Sequence, residues 1–479
     1  MSRRYLVPSK LIGRVASPEA EPGTIPTPET NPEEAHPSSP PRVKHLRRHK
    51  KTRRSASEIV GAKRDKRKKH EAERRARSSR MFVGIRDPKR GDIRKHGLGR
   101  EQIATIKIPR VFSFLEDPAG AMQTLERIRS IAGRNNIRHI EIDCSDCETL
   151  GLCASVVMDV SLMQAKKHRA KRVPLTISGK FSKKSDAVNV LLKASGIPHQ
   201  MGLPESFLDA ELEKRVRRAD LLQGTSNRRD RSPQRNIAAE ALTKYFDGCL
   251  SSLGYELKRE GKKYLGNLLT EVIGNAQEHG GSKWYTIGHW HEEKHDGTKR
   301  HGRCHIVIFN FGTTICESFA LPDVSPGFRE RLEILARSHE GKRYFALFGD
   351  KWDRETLFTL YALQERVSRF TGLPTGKDRG NGTVDIIDFF TKLSGEKSAK
   401  MCIVSGHSYI LFDGAYKLQP VVRDNEEFQV VAFNETNDLE EPPNHDYVYR
   451  LPTSFPGTIV SIDLMLDEEY LNKVLSKRK

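Results

Sequence analysis

The basic residues of this chain are concentrated in one short segment, which limits where a folded core can lie. Between Arg42 and Arg80, 18 residues are Lys or Arg and only 4 are Asp or Glu, so most of the net charge of +20 belongs to this segment. The preceding stretch, 16–42, is rich in Pro, Glu, Ser and Thr. Neither stretch can bury enough apolar surface to offset the entropy of ordering. We therefore expect residues 1–100 to form a disordered, basic arm.

The basic arm has two interpretations. Its cations would release counterions from a polyanion, which makes residues 42–80 a candidate for non-specific contact with nucleic acid. The alternative is a solvated, solubilising tail. No aromatic residues interleave with these charges, so base stacking is not expected.

The sequence does not predict a membrane protein. It has no 18-residue apolar run, and it begins without the apolar core of a signal peptide. Its seven cysteines, an odd number in a long chain, fit reduced thiols better than a disulfide framework. We expect a cytoplasmic protein.

Short apolar runs alternate with helical patterns from about Ala104 onward. The strand-like runs are TIKIPRVFSF, HIEID and RVPLTISG, and the helical ones are AMQTLERIRSIAGRN, CASVVMDVSLMQAKKHRA and DAVNVLLKASGI. This β-α-β-α-β-α order predicts a layered α/β unit over 101–204. The charged, breaker-rich stretch 205–235 predicts a linker, and a second domain is expected over 236–470.

The segment IEIDCSDCETLGLCASVVMDVSLMQ and the strand-Gly-helix pattern after it resemble the STAS domains of anti-sigma-factor antagonists. Members of that family that are switched by phosphorylation carry a serine in the turn that opens the first helix after the Asp strand. Here the corresponding positions, counted from Asp143, are 151–154, which read Gly-Leu-Cys-Ala. Ser145 and Ser155 are nearby but off position. The resemblance therefore implies a STAS-like fold without the phosphorylation switch.

The segment YLGNLLTEVIGNAQEHGG is the most informative in the second domain. Its apolar stripe at helical spacing consists of Leu265, Leu268, Leu269, Val272, Ile273 and Ala276. Glu271, Asn275 and His279 follow at intervals of four, and four residues advance a helix by about 400°, so the three line up along one side. Such a side can face a bound anion, hold a metal or be a polar surface by chance.

Three further elements follow this helix in the chain. RCHIVIFNFGTTI predicts a buried strand that ends in Asn310-x-Gly312, where backbone can approach a ligand closely. GKDRGNGTVDIIDFFTKL places Gly380 and Gly382 just before a helix, an arrangement in which free amides bind phosphate. AKMCIVSGHSYILFDG predicts a hairpin, and FPGTIVSIDLML predicts a terminal strand that begins at Gly457-Thr458.

In this order the elements resemble the GHKL ATP-binding fold, or Bergerat α/β sandwich, and the helix is most similar to that of the anti-sigma-factor serine kinases. The resemblance implies that Asn275 coordinates Mg²⁺ bound to ATP and that Glu271 is the general base. It also places His279 near the phosphates or the lid. Gly380 and Gly382 would donate amides to the phosphates.

The resemblance assigns the remaining residues to the phosphates and the base. Lys377 and Arg379 would supply positive charge, Asn310 and Gly312 would lie at the adenine, and Thr458 would support the base pocket. The family carries Asp where this chain has Asn310, and an amide oxygen accepts the same hydrogen bond. Thr314 replaces the second glycine of that turn. Residues 316–375 are longer than a minimal lid and predict a helical insertion, either for partner binding or as ordinary packing.

The combined prediction is an intracellular regulator in which a STAS-like domain is fused to an ATP- and Mg²⁺-binding module whose nucleotide state controls a protein partner. An active serine kinase or ATPase, and an ATPase that acts on nucleic acid through the basic arm, are the alternatives. Only 13 residues follow Leu466, so the transducer domain of GHKL clamps is not expected. Relatives of this kinase type are commonly dimers, so a homodimer is a further expectation.

Two other patterns predict less. Cys144-x2-Cys147 has the spacing of a metal or redox pair, but without a second pair it favours small buried thiols. His289 and His291 share one face of a strand and could hold a metal. We interpret them as polar surface of a hairpin.

Overall fold

The fold is mixed α/β, with both parallel and antiparallel sheets. The computed structural model describes residues 11–14, 93–95, 102–169, 174–204, 207–225, 233–280, 283–293, 300–320, 326–339, 352–364, 385–389, 392, 399–423 and 426–476. All of these residues belong to one compact unit.

The first layer confirms the predicted β-α-β-α-β-α alternation. Its strands are β2 (Ile93–Lys95), β3 (Gln102–Lys107), β5 (Ile137–Asp143) and β7 (Thr176–Lys180), and its helices are α1 (Pro118–Ala132), α2 (Leu152–Arg169) and α3 (Asp186–Ser195). β5 lies between β3 and β7, parallel to both, while β2 pairs antiparallel with β3. The side chains of Asp117 and Ser185 cap α1 and α3, as residues of these types do at helix starts. The short strands β4 (Val111–Phe112) and β6 (Thr149–Leu150) pair beside this sheet.

A five-stranded antiparallel sheet forms the centre of the second layer. Its strands, in spatial order, are β12 (Ala399–Phe412), β15 (Val448–Asp467), β11 (His301–Phe311), β10 (Lys283–Glu293) and β8 (Val216–Thr225). Helices α6 (Gln234–Ser252) and α7 (Arg259–Gly280) pack on one face, where Trp284, Ile306 and Ile462 join the same core as Leu242 and Leu269. We call this face the α7 face.

The opposite face of the five-stranded sheet is covered by the first layer. Phe309 and Ile459 of that face belong to the same core as Met122 of α1 and Val157 of α2. α2 therefore lies between two sheets, and most of its 18 residues are buried. A helix that is buried on all sides needs no polar stripe, which explains why the buried residues Cys153 and Leu162 lie on opposite sides of it. The two predicted domains, 101–204 and 236–470, therefore share a core and belong to one compact unit.

Part of the predicted linker 205–235 is regular structure. Residues Ala210–Arg215 form helix α5, and residues 216–225 are strand β8, an edge of the five-stranded sheet. The linker prediction is wrong for these residues because charged side chains such as Arg217 are exposed on an edge strand, while Val216 and Ala219 are buried.

Two further predictions need correction. Residues 399–412 are one strand, not a hairpin, since β12 continues past Gly406 and stays paired with β15 through two register shifts. The arm 1–100 contains structure as well, because β1 (Ile12–Arg14) pairs with β9 (Tyr255–Leu257) and β2 pairs with β3. Ile12 is only 1% exposed, and this burial stabilises the pairing. The basic segment 42–80 lies outside the described residues.

The remaining elements complete the second layer. They are α4 (Ile197–Gln200), α8 (Ile315–Ser318), α9 (Pro326–His339), α10 (Arg354–Ala362), α11 (Glu468–Ser476), β13 (Gln419–Arg423) and β14 (Glu426–Val430). Helices α9 and α10 confirm the helical pattern of the insertion. Their residues Leu332 and Leu357 join the core of the α7 face, as an ordinary packed elaboration does. Within the described ranges, no helix combines the length and the apolar character that crossing a membrane requires.

Candidate functional site

Helix α7 carries the three residues that the sequence places along one side. Its apolar stripe is buried, with Leu265, Leu269 and Ile273 at 0% exposure. Glu271 is half-buried, and Asn275, one turn later, is exposed. The helix extends through His279. The stripe fixes the rotation of the helix, so Asn275 lies at the edge of the buried stripe, where an exposed amide oxygen can reach a hydrated cation.

A row of polar side chains crosses the α7 face of the five-stranded sheet. Asn310 on β11 pairs with Thr458 on β15, which in turn pairs with Ser405 on β12. The Ser405 and Thr458 hydroxyl oxygens are 3.0 Å apart, and Ser405 also accepts the backbone N–H of Ile315 at 2.8 Å. The next residues on this face of the same three strands, Ile308, Val460 and Ile403, are apolar. The row is therefore a polar band in an otherwise apolar surface.

Three buried polar atoms near this row have no hydrogen-bond partner among the described residues. They are Nδ2 of Asn310, Oγ1 of Thr286 and Nε1 of Trp284. Trp284 pairs directly with Asn310 across β10 and β11, and Thr286 is two residues further along β10, so all three lie on the α7 face. A buried polar group without a partner costs about 1–3 kcal/mol. Three together mark a place where a polar ligand would supply the missing partners.

Gly457 and Thr314 shape the end of this row in different ways. The backbone of Gly457 has φ +150, and a Cβ there would collide with the carbonyl oxygen of Asn310. Glycine is thus required where β15 passes Asn310. Gly312 donates its N–H to the Pro456 carbonyl at 2.8 Å, which closes the turn. Thr314 caps α8 in a capping box with Glu317. It therefore starts a helix at the position where the GHKL fold, which the sequence resembles, has glycine.

One carboxylate that sequence reasoning missed lies near the same end of the sheet. A Cβ placed on Gly406 would meet both Glu355 and the Thr314 side chain, so Glu355 is close to the residue that follows Ser405. Burial raises the pKa of Glu355, and a hydrogen bond from the His407 backbone opposes that shift. Arg450 contacts Glu355 at 3.9 Å and Asp353 at 3.3 Å. Nothing in the local sequence pattern of α10 singles out Glu355.

The structure brings together only some of the predicted residues. Asn310, Gly312 and Thr458 lie at one end of the α7 face, and Glu271, Asn275 and His279 belong to the helix that packs on it. The predicted phosphate-binding loop lies outside the described residues, and with it Lys377, Arg379, Gly380 and Gly382. Ser405, Thr286 and Trp284 are site candidates that sequence reasoning missed, because an isolated polar residue in an apolar strand carries no pattern.

The turn for which the sequence resembles STAS domains comes directly before helix α2. Gly151 directly precedes the helix, and a Cβ on it would come within 3.2 Å of the Ser113 backbone. Ser155 is 2% exposed, so no kinase could reach it in the folded chain. Ser145 donates to Asp143 through its backbone at 3.0 Å, and its hydrogen bonds lower the pKa of that carboxyl.

The prediction for the cysteine pair is confirmed, and the prediction for the histidines of β10 is not. Cys144 and Cys147 are buried thiols, as expected, and burial raises the pKa of Cys144 to about 12 and that of Cys147 to about 11. The interpretation of His289 as polar surface is wrong. It is 4% exposed, its Nδ1 lies 3.0 Å from the Ser195 hydroxyl, and burial lowers its pKa well below 6.5. The first layer packs over β10 at this point, which the sequence of the strand alone does not reveal.

The described residues contain no cluster of three or more His, Cys, Asp and Glu side chains that could hold a metal ion. An Mg²⁺ ion at Asn275 would therefore depend on phosphate oxygens and water for most of its ligands, which is common for this cation. Comparison of the chain with models of known protein families, with curated proteins and with solved structures finds no match.

Proposed function

We propose that this chain is a regulatory protein that binds ATP and Mg²⁺ between helix α7 and the α7 face of the five-stranded sheet. The observation that supports this most directly is the buried amide of Asn310, whose Nδ2 has no partner among the described residues. An adenine ring offers both donors and acceptors on its edge, and an amide matches both. Trp284 and Thr286 supply two further unpaired groups on the same face.

The phosphates would extend from this end of the sheet toward helix α7. Asn275 is exposed at the edge of the apolar stripe and offers an amide oxygen to Mg²⁺, while half-buried Glu271 lies one turn earlier on the same side. A carboxylate at that position would orient a water or hydroxyl for attack on the γ-phosphate. Phosphate release that disappears in a Glu271→Gln variant would indicate ATP turnover in addition to binding.

The regulatory part of the proposal concerns the first layer, which we propose to be STAS-like. Neighbouring residues of β10 and β11 point to opposite faces of the sheet, so Trp284 and Asn310 lie on the α7 face while Tyr285 and Phe309 pack in the core shared with the first layer. Nucleotide binding on one face would therefore change the packing on the other. A protein partner that contacts the first layer would respond to the nucleotide.

Isothermal titration of the full chain with ATP and Mg²⁺ tests the binding. Asn275→Ala should weaken binding by about tenfold or more, because a hydrogen bond or ligand bond to a charged group contributes about 1.5–3 kcal/mol. Asn267→Ala is the matched control, since Asn267 is an exposed asparagine eight residues earlier on the same helix, about 12 Å from Asn275 along the helix axis. It should bind as the wild type does, and chelation of Mg²⁺ should abolish the difference between the two variants.

A second variant tests whether Asn310 recognises the adenine base. Asn310→Leu keeps the size of the side chain and removes its amide, so it should reduce the preference for ATP over GTP. An absence of heat with the wild-type chain would refute the proposal. So would equal binding by Asn275→Ala and Asn267→Ala.

A further inference from the structure

A cavity of about 690 Å³ lies between the first layer and the five-stranded sheet, away from the α7 face. Helices α2, α3 and α4 and strands β7, β8 and β10 line it. Its apolar lining includes Val160, Ile177, Leu221 and Ile287. Cavities of this volume with mostly apolar walls are typical of sites for small organic ligands.

Cationic side chains are part of the lining of this cavity. Lys166 and Lys167 come from the last turn of α2, and Lys283 comes from the start of β10. Among the described residues neither Lys166 nor Lys167 has a carboxylate within ion-pair distance, whereas Arg218, also in the lining, is paired with Glu213 at 3.1 Å. The acidic residue of the lining, Asp220, contacts His199 at 3.2 Å. The cavity therefore has an excess of positive charge.

Lys167 and Lys283 are close enough to repel each other. Partial burial and then the charge of Lys167 lower the pKa of Lys283, while its ammonium contacts the neutral amide of Gln223 at 3.4 Å. Two like charges that face each other are unfavourable unless an anion lies between them. A carboxylate or similar group on a ligand would remove this repulsion and gain two charged contacts.

A neutral donor lies next to these lysines. The hydroxyl oxygen of Tyr285 accepts a hydrogen bond from Nε2 of Gln164, so the tyrosine's own O–H remains available to an acceptor in the cavity. Its ring is 3% exposed and stacks on Phe309 with centroids 4.9 Å apart, which fixes its orientation. Burial raises the pKa of Tyr285 to about 12, so it stays a donor at neutral pH.

We propose that this cavity binds a small amphipathic organic anion. The apolar part of the ligand lies against Ile177, Leu221 and Ile287, and its anionic group lies between Lys167 and Lys283, within reach of the Tyr285 hydroxyl. No residue of this site belongs to the proposed nucleotide site, which lies on the opposite face of the sheet.

Titration of the full chain with decanoate, below the concentration at which it forms micelles, tests this proposal. Saturable binding of one decanoate per chain is expected, with weaker binding of decanol and decylammonium, which also have ten carbon atoms but no negative charge. Lys167→Ala and Lys283→Ala should each raise the Kd by roughly tenfold, the effect of losing one charged hydrogen bond. Met163→Trp, which fills part of the cavity, should abolish binding.

Lys183→Ala is the matched control, since Lys183 is an exposed lysine of the first layer outside the cavity. It should bind decanoate as the wild type does. Circular dichroism and thermal melts establish that each variant is folded, and either lysine variant alone is sufficient if the other does not fold.

Equal affinity for decanoate and decanol, or equal weakening by Lys183→Ala and Lys283→Ala, would overturn the proposal. So would the absence of saturable binding by the wild type. Asn275→Ala should bind decanoate normally, so failure of the nucleotide proposal would leave this result unaffected.

Discussion

The buried carboxyl group of Asp159 should make the protein less stable as the pH rises. Asp159 lies on α2 at 1% exposure, and its Oδ2 has no hydrogen-bond partner among the described residues. Burial raises its pKa well above the ordinary value of 3.8, although the backbone N–H of Ile197 at the start of α4 donates to it and opposes the shift. The folded chain therefore holds a proton that the unfolded chain releases.

The size of this effect follows from proton linkage. Above pH 3.8 the unfolded chain gains stability as its carboxyl ionises, and the folded chain does not until its own higher pKa is reached. Each pH unit in this window lowers the free energy of unfolding by about 1.4 kcal/mol. Asp159→Asn removes the ionisation. Relative to the wild type, the variant should therefore gain about 1.4 kcal/mol per pH unit from about pH 4.5 upward, until Asp159 of the folded wild type also ionises.

The slope of the free energy of unfolding against pH is a better measure of the ionisation of Asp159 than the free energy of unfolding at one pH. The amide of an Asp159→Asn variant brings an N–H donor without an acceptor, which costs about 1–3 kcal/mol at every pH. Urea unfolding of the wild type and of the variant at several pH values, followed by the fluorescence of the buried Trp284 and Trp290, gives the difference directly. Asp146→Asn, at an exposed position, is the control and should stay parallel to the wild type. A parallel Asp159→Asn curve would refute the reasoning.

Two further pairs of substitutions have expected outcomes. Gly406→Ala should lower the free energy of unfolding by about 1–3 kcal/mol, because Gly406 has φ +61 and a Cβ there would collide with the Glu355 carboxylate. Gly248→Ala, where a Cβ on α6 meets open space, should instead raise it by up to about 1 kcal/mol, and thermal melts in which both variants shift alike would contradict this. His289→Phe should remove an acid-induced loss of about 1.4 kcal/mol per pH unit below pH 6.5, because the lowered pKa keeps His289 neutral in the folded chain while the unfolded chain takes up a proton. His168→Phe, at an exposed position of α2, is the control and should keep the acid-induced loss of the free energy of unfolding, measured by urea unfolding at several pH values. The same loss in the His289 variant as in the wild type would count against this explanation.

The local pattern of the sequence was enough to predict the elements with a single buried face. The alternation of strands and helices in the first layer and the apolar stripe of α7 are both periodic, and both are present. Periodicity reports which residues of an element are buried against one neighbour. It therefore predicts an element better than it predicts what lies on the element's other side.

The errors come from contacts between residues far apart in the chain. The Ser-Gly-His-Ser sequence at 405–408 has the composition of a turn, but pairing with β15 carries β12 through it with Gly406 in the left-handed region. Strand β8 carries an irregular register against β10, so its apolar residues do not alternate evenly. In the candidate site, Ser405 and Thr286 become site candidates only because they lie near Asn310. The three residues belong to three different strands, and the sequence does not predict that these strands lie together.

The position of α2 between two sheets bears on how this chain can be divided. A cut anywhere in 205–235 would leave Phe309 and Ile459 facing water on one fragment and Val157 facing water on the other. Each half would then be prone to aggregate, and neither would report the behaviour of the intact molecule. The two halves should be produced together in one cell if they are to be studied as separate polypeptides.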